Sequence, residues 1–318
     1  MRQSAFAIGL ALVLTQPMPV VRAQDYPNKK ITMIVGFAPG GGVDTLARVV
    51  AQELTDQAGF QIVIENRPGA GSNIAAKMVA TAAPDGYTLL FTGNSYAINQ
   101  TIYKDPGYQT SDLRAVAFAA IDSQALVVTA DHPARTLQEF LDQAKQKPPN
   151  FGFGGSSSRL VIDYVVRVLA KTEAVPVPFQ SGAPALNALL GKHIDILSSP
   201  IAEIVPHVQQ GVLRALAVTG AKRSHVLPDV PMLREAGFPG LEIHGWIGIL
   251  APSKTPDAIC AMINNAVNAA VSKPSVNARL RALGYDPNVM ALAETGPFLA
   301  NSVEIWRKMI VATGMAIN

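Results

Sequence analysis

The chain has 318 residues, enough to bury a full core, and by size it makes two domains or one large one. Charged residues are 15% of it and the formal net charge is only +3, with no basic run to follow a phosphate backbone, which sets nucleic acid aside as a partner. The single cysteine, Cys260, excludes an internal disulfide, and no Cys/His cluster has the spacing of a structural zinc.

Arg2 precedes an apolar stretch over residues 5–14; Pro17 and Pro19 follow, and Val21 and Ala23 stand at the small positions that a signal peptidase reads. That stretch is about half of the ~20 residues a membrane-spanning helix needs. Residues 1–23 therefore read as a removed secretory signal, with the mature chain starting near Gln24. No later window holds 18 uninterrupted apolar residues, so the mature protein is expected to be soluble.

Apolar, β-branched runs then alternate with helical patterns. Strands are predicted over 31–35, 61–65, 88–92, 115–120, 126–129, 194–198, 213–219 and 246–251. Helices are predicted over 45–58, 74–82, 137–145, 160–171, 184–190, 256–272 and 297–313. The alternation predicts an α/β fold with parallel sheets covered by helices on both faces, as two α/β lobes with strands on either side of residue 125. Thr136 with Glu139 forms a capping box, Thr255 followed by Pro256 caps a helix and starts it with proline, and Gly191 ends one as a left-handed cap. Cys260, beside Ile259 and Ile263 on a helical stripe, reads as a small core residue. Trp246 and Trp306 are most simply core or hinge residues, although Trp246 can also wall a cleft.

Two glycine loops share one design. "GFAPGGGVD" (residues 36–44) joins the first strand to a helix, and "NRPGAGSNI" (residues 66–74) joins the second strand to the next helix. Glycine lets the backbone take positive φ and a ligand approach closely, while free N–H groups at the following helix N-terminus attract anions. A Walker loop would need Gly-Lys-Ser/Thr where Val43 and Asp44 stand, and a dinucleotide fingerprint would need a glycine where Thr45 stands. A small anion such as a carboxylate suits two neutral cradles better than a polyphosphate does. Either loop alone would pass as a tight turn; two at successive strand ends favour a shared crevice.

"FGFGGSSSRL" (residues 151–160) offers Ser156, Ser157 and Ser158 ahead of another helix, and misses a hydrolase nucleophile elbow because serine stands where G-x-S-x-G needs glycine. In "VPFQSGAPAL" Phe179, Gln180 and Ser181 precede a further helix, where surface-turn duty competes with ligand contact. His132, His193, His207, His225 and His244 show no zinc spacing. A Ser/His/Asp triad assembled from distant residues stays open as an alternative, an exported serine hydrolase using Ser156–Ser158.

"YPNKKITMIVGFAPGGGVDTLAR", "ENRPGAGSNIAA", "APDGYTLLF", "GVLRALAVTGAKRS", "LPDVPMLREAGFPG" and "WIGILAPSKTP" occur in the order expected of one family. Across residues 25–314 the chain resembles the solute-binding receptors of tripartite tricarboxylate transporters, also called Bug receptors. The resemblance implies a periplasmic, monomeric type II periplasmic binding protein. Residues 24–124 and 245–318 would form lobe 1 and residues 125–244 lobe 2, with two crossover strands and hinge closure near 126–129 and 246–251.

It also implies that a small carboxylated solute is held by Phe37, Ala38, Gly41, Gly42 and Asp44 in the first loop and Ala70, Gly71, Ser72 and Asn73 in the second. Ser156, Ser157, Ser158, Phe179 and Ser181 would grip the far end. No catalytic residue, cofactor or metal is implied; the partners would be the membrane subunits of the transporter, or a sensor kinase. The family usually has proline at position 36 and glycine at position 72, and a lysine in the stretch that here reads "PFQS". Arg159 is then the one cation near the serine loop, to pair with a distal carboxylate or face solvent. Dicarboxylates and tricarboxylates, amino acids and aromatic acids all remain open as solutes.

Overall fold

Every β-branched run predicted as a strand forms one, and the strands divide between two sheets. The computed structural model describes residues 26–179, 181–239, 243 and 245–315; the segment read as a signal, Gln180 and His244 lie outside them. In chain order the first elements are β1 (Ile31–Val35), α1 (Gly42–Ala58), β2 (Ile62–Asn66), α2 (Asn73–Ala80), β3 (Thr88–Gly93), α3 (Ser95–Ile102) and β4 (Leu113–Asp122). Then come β5 (Gln124–Thr129), α4 (Leu137–Ala144), β6 (Asn150–Phe153), α5 (Ser156–Asp163), β7 (Val175–Pro178), α6 (Gly182–Leu190), β8 (Ile196–Pro200), α7 (Ile201–Gln209) and β9 (Leu213–Val218). The chain closes with β10 (Gly245–Pro252), α8 (Asp257–Ser272), α9 (Pro274–Ala282), β11 (Asp286–Pro287) and α10 (Leu292–Thr313).

The first sheet has the order β11-β4-β10-β3-β1-β2 and the second β7-β6-β8-β5-β9. Neither is wholly parallel, which corrects the expectation from the alternating pattern. β1 runs parallel to β2 and β3, but β10 is antiparallel to both β3 and β4. Likewise β6 is parallel to β7 and β8, while β5 is antiparallel to β8 and β9. β10 and β5, by which the chain enters the first and second sheet at the crossings, run antiparallel to their neighbours, as does the short β11 to β4, and hydrophobic periodicity carries no record of strand direction.

Side-chain alternation explains the layering. From β1, Ile31, Met33 and Val35 pack with α1 and α8, whereas Ile34 joins the opposite core beneath α2, α3 and α10. From β10, Ile247 and Ile249 take the first face and Trp246 and Leu250 the second. Trp246 and Trp306 are both buried in that second core, and the Trp246 indole N–H donates to Ser302 Oγ at 2.9 Å, so neither walls a cleft. This core continues into the other sheet through Leu126 and Val128 of β5 and Leu160 and Val161 of α5.

The chain crosses between sheets at Ser123 and again around Ile243. The crossings are tied together: Gln124 N–H donates to Thr219 Oγ1 (3.0 Å), Thr219 N–H to the Gln124 carbonyl (2.9 Å), and Ile243 N–H to the Thr219 carbonyl (3.0 Å). Hinge positions predicted at 126–129 and 246–251 instead lie inside β5 and β10, where ladder hydrogen bonds hold them.

Three helix-end expectations change. Thr136 Oγ1 accepts the Glu139 N–H, but the Glu139 carboxylate turns to Arg135 N–H, one residue early. Thr255 Oγ1 is buried without a partner and α8 starts one residue later than expected, after Pro256. Gly191 has φ −79°, and the left-handed residue is Lys192 at φ 58°.

Candidate functional site

Each sheet contributes three parallel strands whose C-terminal ends carry a strand-to-helix loop. In the first sheet these are β1 to α1, β2 to α2 and β3 to α3; in the second, β6 to α5, β7 to α6 and β8 to α7. Ligands of open α/β sheets gather beyond such ends. Four of the six loops were read from their glycines and serines. The two missed are Gly93–Ser95 and Ser199–Glu203, whose only signals are one glycine and one proline after a β-branched or apolar run.

In the first loop α1 begins at Gly42, and its first internal hydrogen bond runs from Thr45 N–H to the Gly41 carbonyl. The N–H groups of Gly42, Val43 and Asp44 therefore have no partner within the helix. Ala38, Gly41 and Gly42 are exposed and Phe37 is half-buried. Asp44 behaves differently from the rest of its predicted set. Its side chain is buried and accepts from Gly40 N–H (2.8 Å), Asn66 Nδ2 (2.8 Å), and Arg48 Nε and Nη2 (2.9 and 3.0 Å). Burial alone would raise its carboxyl, but these hydrogen bonds together outweigh it and hold the carboxyl below the usual range. Asp44 thus shapes the loop, and Asn66, which also donates to the Phe37 carbonyl at 3.0 Å, fastens the end of β2 to it.

The second loop is left-handed over four residues: Gly69, Ala70, Gly71 and Ser72 have φ of 131°, 46°, 62° and 82°. Such a run is costly for Ala70 and Ser72, so the surroundings must hold it. Asn99 Nδ2 does so by donating to the Gly71 carbonyl and to Asn73 Oδ1, both at 2.8 Å, and Tyr108 adds a hydrogen bond to Asn73 Oδ1 at 3.2 Å. Ala70 and Gly71 face solvent, but Ser72 and Asn73 are buried. Their side chains serve the loop from beneath, with Ser72 Oγ 3.1 Å from Thr92 Oγ1. Asn99 and Ser95, which keep a buried unpartnered oxygen each, belong to the missed third loop and its helix.

On the second sheet the serine loop and the Phe179–Ser181 stretch meet. A Cβ at Gly154 would overlap the backbone of Ser181 and Gly182, and Phe179 N–H donates to the Phe153 carbonyl at 3.0 Å. Ser156 and Ser157 are half-buried, Ser158 is buried, and Ser181, exposed, precedes α6. Arg159 is held within its own helix and loop: Nε donates to Asp163 Oδ2 at 3.3 Å and the guanidinium lies 5.5 Å from the Phe153 ring centroid. His132 Nδ1 accepts Ala134 N–H and His225 Nε2 faces the Arg281 carbonyl; among the described residues no histidine is hydrogen-bonded to these serines.

The sixth loop spans the two halves. Glu203, in the first turn of α7, accepts from Ser199 Oγ at 2.7 Å, and its carboxylate lies against Gly182, where a Cβ would overlap it. Gly284, from the first half, packs on Ala202. Next to Gly284, the Tyr285 hydroxyl stands where a Cβ at Gly42 would fall, at the start of α1. Burial raises the Tyr285 phenol, helped by the charges of Asp122 and Glu203; burial and the Glu203 charge push Asp122, at the crossing, up to about 7.

The family profile described as tripartite tricarboxylate transporter family receptor matches residues 46–315. A protein of R. palustris solved with adipate is 30% identical with a TM-score of 0.83, covering 92% of this chain and 99% of its own. The periplasmic binding protein BugD is 28% identical with a TM-score of 0.80, covering 92% and 99%. MatC of Rhodopseudomonas palustris, solved with malate, is 30% identical with a TM-score of 0.77, covering 90% and 100%. With its two mixed sheets the fold is that of the periplasmic binding proteins, and the chain belongs to the receptor family of the tripartite tricarboxylate transporters.

Proposed function

We propose that this chain captures a small carboxylated acid between two lobes in the periplasm and delivers it to the membrane subunits of a tripartite tricarboxylate-type transporter. Residues 24–124 and 245–318 make lobe 1 and residues 125–244 lobe 2. The observation that carries the reading is the pairing of the two glycine loops: Asn66 fastens one to the other through Asp44 and the Phe37 carbonyl, leaving exposed backbone at Ala38, Gly41, Gly42, Ala70 and Gly71. Backbone N–H groups at a helix start stabilise a carboxylate without a cation. Ser156, Ser157, Phe179 and Ser181 face the solute from lobe 2, while Asp44, Ser72, Asn73 and Ser158 act as supports.

Closure is a hinge motion at the crossings near Ser123 and Ile243, and the solute favours the closed state through contacts made to both lobes at once. Membership of a receptor family supports a chain that binds its solute and releases it unchanged. The test is mass spectrometry of whatever leaves the purified protein on denaturation, followed by thermal shift with a panel of acids. An acid at ~1,000 times its Kd adds roughly 4 kcal/mol. A hit recovered unchanged is expected; a hit returned chemically altered, or no hit across the panel, overturns the proposal.

A further inference from the structure

The loops at the strand ends of the second sheet carry a carboxylate, Glu203, where a receptor for dicarboxylates needs positive charge or free N–H groups. Three observations converge. The N-terminus of α6, the natural anion site behind Ser181, is already faced by the Glu203 carboxylate, which lies on Gly182. Arg159, beside the serine loop, is engaged by Asp163 and Phe153. The stretch ahead of α6 reads Pro178, Phe179, Gln180 and Ser181 and holds no lysine. Glu203 itself is exposed, so an approaching solute meets its carboxylate directly.

We infer that Glu203 is a specificity-determining residue that rejects a second carboxylate, so that the receptor selects monocarboxylates bearing a hydrogen-bond donor at the opposite end. This rests on the carboxylate-receptor reading above and sets the chain apart from the relatives solved with adipate and malate. The physical basis is unlike-for-like: a carboxylate brought against Glu203 is repelled and loses water without a compensating partner, whereas an amide, hydroxyl or ammonium donates to it. Ser199 fixes the Glu203 carboxylate in place, so the discrimination is built into lobe 2 before any solute arrives.

The test uses matched trios measured by calorimetry on the full mature chain: succinate, its monoamide and 4-aminobutanoate, then adipate, its monoamide and 6-aminohexanoate. The wild type is expected to bind the amide or amine member of at least one trio about tenfold or more tighter than the diacid, a difference of roughly 1.4 kcal/mol. In Glu203→Gln, which keeps an acceptor for Ser199, that ratio falls to about threefold or less. Ser199→Ala, which keeps the charge, retains the preference, as a merely structural role for Glu203 would not require. If the diacid ties or wins in the wild type, or the ratio survives in Glu203→Gln, the inference is overturned and the receptor reading stands. If no member of either trio binds, the inference falls as well, and the panel of aromatic and branched acids decides the receptor reading separately.

Discussion

The hydroxyl of Ser72 occupies the space that any side chain at Gly36 would need: a Cβ built on Gly36 would overlap Ser72 Oγ. The two glycine loops are thereby interlocked by a residue from each.

Gly36→Ala is therefore expected to lower stability by about 1–3 kcal/mol, the range for overpacking a tight site. Ser72→Gly should be close to neutral, because relief of a left-handed serine offsets the lost contact to Thr92. The double variant should recover most of the loss, with a coupling of about 1 kcal/mol or more. Denaturant melts of the four proteins measure it, and strict additivity would show that the loops are independent.

Gly41 and Gly71 separate approach from conformation. Gly41 has φ −72° and its Cβ would meet only the Ala38 carbonyl at 3.5 Å, so valine fits the fold and obstructs only a ligand. Gly71, at φ 62° and with Asn99 within 3.1 Å of a Cβ, has no such freedom. Gly41→Val should keep its Tm and lose affinity at least tenfold, whereas Gly71→Val should lose both.

Asp44→Ala leaves the Gly40 N–H, Asn66 and Arg48 without their acceptor, and should cost about 2–3 kcal/mol together with affinity. The Asp44 carboxyl lies below its usual range when folded, so its contribution is present above the unfolded value of ~3.9 and is lost as pH falls through the lower folded one. Acid unfolding below about pH 4 should be shallower in Asp44→Asn than in the wild type.

Asp122 has the opposite sign. Its folded value of about 7 lies above the unfolded one, so it favours the folded state fully below ~pH 4 and loses that contribution as pH rises through 7. Thermal melts from pH 4 to 8 should show a downward slope that Asp122→Asn removes and Glu203→Gln reduces.

Cys260 is fully buried and burial pushes its thiol up, so thiol reagents should label it only at the rate of unfolding. Cys260→Ser should leave solute affinity unchanged. Rapid labelling of the native protein would contradict the packing against Ile259 and Ile263 described by the second apolar core.

What was legible in the sequence follows from where the signals are local. β1 forms over the predicted residues because Ile31, Met33 and Val35 alternate with Thr32 and Ile34 between polar ends, and the glycine loops are written in glycine itself. β6 and β7 were missed because "NFGF" and "VPVP" are four residues each, one broken by glycine and the other by two prolines on a sheet edge. α3 was missed because "SYAINQTI" buries a polar residue, Asn99, which supports the second loop, so its pattern is not apolar. Asp44, Ser72 and Asn73 sit in the two glycine loops with their side chains turned into the scaffold, which the sequence could not show because only packing decides which way a polar side chain faces.

The position of β10 has a consequence for synthesis. β3 and β4 are complete by Asp122, yet in the finished sheet they do not touch; β10, beginning at Gly245, lies between them. A ribosome that has delivered the first half of the chain has therefore made two strand edges with nothing to pair them, and edges left bare invite the wrong partner. The first sheet can close only after the whole second sheet has been translated, which keeps the growing chain open until late and makes any fragment ending before Gly245 a candidate for aggregation.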